Sequence, residues 1–103
     1  MKITDIISGE KPSLSFEVFP PKSGANFETV EEAALKIAAL KPSYMSVTYG
    51  AGGGTSRYTA DIAGDILKRG VTPLAHLTCI SSTREAVKNQ LSGLKEKGIE
   101  NIL

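Results

Sequence analysis

The sequence has no tryptophan, one histidine and one cysteine. A lone Cys79 cannot close an internal disulfide, and no Cys/His spacing of a zinc site accompanies it. That pattern suits a reducing compartment. Net charge is only +1, and Lys and Arg do not cluster. The electrostatic case for nucleic acid or for a membrane surface is therefore missing. No apolar stretch near Met1 is long enough for a signal peptide, and none approaches membrane-spanning length. A soluble cytoplasmic protein is the expectation. What is present is ordinary for a globular chain: 103 residues, 41% hydrophobic and 22% charged. That is enough apolar surface to build a core.

The apolar residues fall into alternating patterns. Residues 14–19, with Phe16, Val18 and Phe19, read as a strand that Pro20-Pro21 stops. Val30, Ala33, Ala34, Ile37 and Ala38 form one helical stripe. Thr29 and Glu32 have capping-box spacing at its start, and Lys41-Pro42 ends it. Residues 44–48 read as a second strand, followed by a glycine-rich loop, 50–56. A second helix is expected from about Thr59 to Arg69, with Ala63, Ile66 and Leu67 on one face and Gly70 as C-cap. Pro73 introduces a third strand, 74–79. Ser82 and Glu85 suggest another capping box before a helix carrying Val87, Leu91 and Leu94, which Gly98 ends. Residues 101–103 read as the start of a fourth strand. Strand and helix thus alternate three times with short connections, which points to an α/β fold with a parallel sheet and crossover helices. An open doubly wound sheet and a barrel both fit. A (β/α)8 barrel needs about 250 residues. On the barrel reading, residues 1–103 are one incomplete domain of about three and a half βα units, truncated in strand four.

In parallel α/β folds, function gathers at the C-terminal ends of strands. Glu17 lies between Phe16 and Val18, where a parallel strand is normally apolar on both faces. Burial of a carboxyl favours its neutral form, which is what a general acid requires. The alternative is a solvated strand position or a structural ion pair, and residue type alone does not separate the two. The 50–56 loop has three consecutive glycines, with Thr55 and Ser56 before a helix. It fails both as a Walker loop and as a dinucleotide fingerprint. His76, Thr78 and Cys79 close the third strand. A lone strand histidine is more often a packed residue than a ligand, and Cys79 reads as a small buried hydrophobe. Three residues apart on one strand, His76 and Cys79 would point to opposite faces. Tyr44, Tyr49 and Tyr58 can stack on a planar cofactor or simply pack.

Three motifs in order are more specific than any one of these signals. Ser15–Lys22 (SFEVFPPK) resembles the strand-one motif of methylenetetrahydrofolate reductases. Ser46–Gly53 (SVTYGAGG) and Ala75–Cys79 (AHLTC) resemble the strand-two and strand-three motifs of the same family. The resemblance covers nearly all of the chain from Leu14 onward. It implies a (β/α)8 TIM barrel binding FAD at its C-terminal face. It implies NAD(P)H as hydride donor, methylenetetrahydrofolate as substrate and a homo-oligomer when full-length. On that resemblance Glu17 is the general acid toward folate N10. Thr48 lies near flavin and nicotinamide, and Tyr49, Ala51 and His76 are flavin contacts. An Arg-Gly-Asp stretch expected after the fourth strand, with its flavin-side Asp, lies past Leu103.

Two other readings remain open on the sequence. One is a non-enzymatic α/β module that holds a phosphate-bearing ligand through the 50–56 loop. The other is an inactive fragment, whose open sheet edge would leave it marginal and prone to association.

Overall fold

Four short strands carry the apolar runs: β1 (Ser15–Val18), β2 (Tyr44–Val47), β3 (Thr72–Ala75) and β4 (Asn101–Ile102). The structure is a computed structural model that describes residues 1–49 and 56–103. All strand pairs are parallel, in the order β1-β2-β3-β4. Each strand therefore neighbours the next one in the chain, without the reversal of order that marks a doubly wound sheet. Glu17 pairs in register with Ser46, and Ser46 with Leu74.

Helices α2 (Phe27–Ala38), α3 (Ser56–Lys68) and α4 (Arg84–Glu96) make the crossovers. Their apolar stripes meet one face of the sheet. Ala34 and Ala38 from α2, Ile62, Ala63 and Ile66 from α3, and Leu94 from α4 join Val18, Met45, Val47 and Ala75 in one core. Met45, Val47, Ile62 and Ile66 are essentially inaccessible. Each such side chain contributes roughly 1.5–3 kcal/mol relative to exposure. Of the stripes read from the sequence, Ala33 and Leu91 stay exposed, whereas Ile62 is buried. No described helix is long and apolar enough to cross a membrane.

Several boundaries differ from the sequence reading. A short helix α1 (Ile3–Ile7) precedes β1, and it is too short to show a period. Helix α2 begins at Phe27 with Asn26 as N-cap, so Thr29 and Glu32 lie inside it and form no capping box. A 3-10 turn at Gly24–Asn26 leads into that start. For α4 the cap is Thr83, one residue after Ser82, and its Oγ1 accepts from the Ala86 N–H at 3.1 Å. Strand β3 lies earlier than 74–79 because Pro73 sits inside it, near its start, where a missing N–H costs little. Cys79 therefore falls in the loop after β3 and is exposed, not a buried hydrophobe. Gly70 and Gly98 do close α3 and α4, with φ of +84° and +80°.

The N-terminal segment is tied to the last strand. The Ile3 N–H donates to Asn101 Oδ1 at 2.9 Å, and Asn101 Nδ2 donates to the Met1 carbonyl at 2.9 Å.

Candidate functional site

Side chains alternate across a strand. In β1 and β2 the positions flanking Glu17 and Ser46 (Phe16, Val18, Met45, Val47) turn to the helices. Glu17 and Ser46 therefore project from the opposite face, and His76, one residue past β3, reaches the same place. The backbone ladder continues beyond the strands and holds the neighbouring segments in step. The Thr48 N–H donates to the Val18 carbonyl at 3.0 Å, and the His76 N–H to the Val47 carbonyl at 3.0 Å. Three consecutive strand ends thus bring Glu17, Thr48 and His76 to the C-terminal edge of the sheet.

Two groups approach one carboxylate oxygen. Ser46 Oγ donates to Glu17 Oε1 at 3.1 Å. His76 Nε2 lies 3.6 Å from the same Oε1, too far for a good hydrogen bond but close enough for a charge interaction when the ring is protonated. Ser46 is buried at 8% exposure, while the Glu17 side chain keeps 47% and that of His76 24%. Packing within residues 1–103 alone does not bury Glu17. The helices cover the other face, so the described residues leave this carboxyl open on one side. It is neither wholly solvated nor locked in an ion pair.

Thr48 is placed by a residue that the sequence reading passed over. Thr59, 2% exposed in the first turns of α3, donates from Oγ1 to the Thr48 carbonyl at 2.8 Å. Ser46 was likewise read only as part of a motif. Its signal is a small hydroxyl between Met45 and Val47 in an apolar strand, but its role depends on the β1–β2 register. Tyr49 goes elsewhere. With Arg57, Ala60, Leu77, Gln90 and Leu94 it lines a cavity of about 170 Å³ whose walls come largely from α3 and α4. His76 also borders that cavity. Tyr49 Oη and Gln90 Oε1 are buried without a hydrogen-bond partner among the described residues. Tyr58 packs on Phe27, ring centroids 5.5 Å apart, which accounts for it by ordinary packing. Ala51 and the rest of the glycine loop, apart from Ser56, lie outside the described residues. Among the described residues no group of three or more His, Cys, Asp or Glu gathers that can hold a metal ion.

Chemically, the site is a half-exposed carboxyl group held at one oxygen, with an imidazole and a threonine at the same sheet edge. Comparison with known proteins bears on the chain as a whole. The family model for methylenetetrahydrofolate reductase matches residues 2–103. The chain is 34% identical over 103 residues to methylenetetrahydrofolate reductase (NADH) 1 of Zea mays, covering 99% of this chain and 17% of the maize protein. It is 37% identical over 92 residues to the 5,10-methylenetetrahydrofolate reductase of Pectobacterium carotovorum, covering 88% of this chain and 31% of that one. The corresponding protein of Buchnera aphidicola from Acyrthosiphon pisum is 39% identical over 90 residues, 86% of this chain and 31% of its own. The chain thus spans between about a sixth and a third of the length of these relatives. Matched over almost its whole length by one family, the chain belongs to the methylenetetrahydrofolate reductases.

Proposed function

We propose that this chain supplies the proton-donating wall of an enzyme that reduces methylenetetrahydrofolate to 5-methyltetrahydrofolate, with FAD as cofactor and a nicotinamide as hydride donor. The observation that carries it is the half-open Glu17 carboxyl, fixed by Ser46 beside His76 at the strand ends. Membership of the family supports the folate substrate. The name of the maize relative specifies NADH for that protein, and we carry a nicotinamide donor across on that basis.

The residues fit a flavin. The open face presents a hydroxyl from Thr48 and a ring N–H from His76 on one edge, and both groups suit the polar rim of an isoalloxazine. Thr48 and His76 are the described residues that would hold it. Bound FAD would supply hydride transfer, received from the nicotinamide and passed to the folate carbon. The chain's own part is proton chemistry. Glu17 gives its proton to folate N10 as the five-membered ring opens, which leaves the methylene carbon electrophilic. Thr59 keeps the Thr48 backbone in place by its bond to the carbonyl.

The sequential parallel order also supports a barrel that winds in one direction, as a (β/α)8 fold does. By the same reading, residues 1–103 alone carry the acid without the rest of the cofactor site and are inactive. The full-length enzyme is read as a cytoplasmic homo-oligomer.

The test is Glu17→Gln in the full-length protein. Flavin binding and reduction by the nicotinamide donor should persist, while reoxidation by methylenetetrahydrofolate slows by about 10²–10⁴-fold, the usual contribution of a positioned acid. Unchanged folate reduction would reject Glu17 as the acid, and a parent protein that neither binds flavin nor reduces folate would favour a ligand-binding module built on the 50–56 loop.

A further inference from the structure

We infer that Ser46 is a positioning residue that dictates which oxygen of Glu17 carries the transferable proton. The inference rests on the reading of Glu17 as the acid and goes beyond it by fixing the site of protonation. A neutral carboxyl has two unlike oxygens. Its carbonyl oxygen accepts hydrogen bonds well, and its hydroxyl oxygen is the donor. Ser46 Oγ donates to Oε1 at 3.1 Å, and His76 Nε2 faces the same Oε1 at 3.6 Å. No described residue donates to Oε2. A proton on Oε1 would make the Ser46 hydroxyl turn round and accept, leaving its own proton without an acceptor among the described residues, whereas a proton on Oε2 leaves Oε1 free to accept from Ser46. The neutral acid therefore keeps its proton on the oxygen turned away from Ser46. Among the described residues the carboxyl as a whole keeps 47% exposure.

The geometry that makes this possible is set by the sheet. Glu17 and Ser46 are direct register partners on adjacent parallel strands, pinned between the Phe16–Met45 and Val18–Val47 pairs. Ser46 is nearly enclosed, at 8% exposure, so its hydroxyl has little water to turn toward. Once the proton has left, the same hydroxyl donates to a carboxylate, a stronger bond than the neutral one. Ser46 thus favours the product of proton transfer over the reactant.

The test uses the full-length flavin-loaded enzyme and follows its two half-reactions separately by flavin absorbance. Ser46→Ala should leave reduction by the nicotinamide donor unchanged and slow reoxidation by methylenetetrahydrofolate about 10- to 100-fold. The alkaline limb of the folate half-reaction should move to higher pH, because the ionised form has lost a donor. Ser46→Thr, which keeps the hydroxyl, should restore both. A second measurement needs no turnover. The infrared C=O stretch of protonated Glu17, identified as the band that Glu17→Gln removes, should shift to higher frequency in Ser46→Ala. An unshifted stretch overturns the inference, as does equal slowing of both half-reactions or a parent-like pH profile. If Glu17→Gln itself preserves folate reduction, the reading of Glu17 as the acid fails, while the stretch still reports whether Ser46 holds the carboxyl.

Discussion

A carboxyl beside another carboxyl keeps its proton longer than it would in water. Glu31 on α2 is such a group. Partial burial raises its pKa first, and the Asp65 carboxyl on α3 adds to this by repulsion and by a hydrogen bond that favours a shared proton. Its folded value is above its unfolded one. The stabilising contribution is therefore complete below the unfolded value and lost as pH rises through the folded one. At neutral pH the pair only repels. Glu31→Gln should raise the denaturation midpoint of the full-length protein at pH 7 by a small margin, up to about 0.5 kcal/mol in stability. The gain should vanish near pH 4, and an equal gain at both pH values would contradict the assignment. Glu17 shows the limit of reading at this scale. A charged residue in an apolar run is visible in one sequence. Its exposure is not, because that depends on which face the helices cover. Ser46 was invisible for a related reason, since its partner lies 29 residues away and register is not written in either strand alone.

At the level of elements, periodic stripes were legible and ends were less so. Each of the three crossover helices is where the apolar spacing put it, because burial of a stripe is a summed effect over several turns. A helix start depends on single hydrogen bonds that compete within one or two residues. Adjacent Ser82 and Thr83 are both capable caps, and it is Thr83, with an extended backbone, whose hydroxyl accepts from the Ala86 N–H. Thr83→Ala should therefore destabilise α4 by about 0.5–2 kcal/mol, and Ser82→Ala by much less. Amide exchange along Arg84–Val87 would report the difference, and equal effects of the two substitutions would argue against Thr83 as the cap. The third strand begins at Thr72, ahead of Pro73, and not after it. A proline near the start of a strand breaks too little to exclude the residues before it.

For the molecule as a whole, the two faces of the sheet have different characters. One is apolar and carries the helices. The other is lined at the strand ends by Glu17, Ser46, Thr48 and His76, with Phe19 and Leu103 exposed. Parallel order was legible from alternation. The winding was not, because a single-direction order and a doubly wound one share the same periodicity and differ only in which strands touch. Asn101 adds a constraint in time. Its side-chain amide grips Met1 and Ile3 across 98 to 100 residues of sequence. Ribosomes add about 5–20 residues per second, so the first residues of the chain spend roughly 5–20 s without their partner. Pulse-labelled nascent chains should show the Ile3 amide unprotected until Asn101 has left the ribosomal tunnel, and protection in shorter chains would contradict this. Met1 and Ile3, and with them the short helix α1, thus stay without this anchor until a strand about a hundred residues further along has been made.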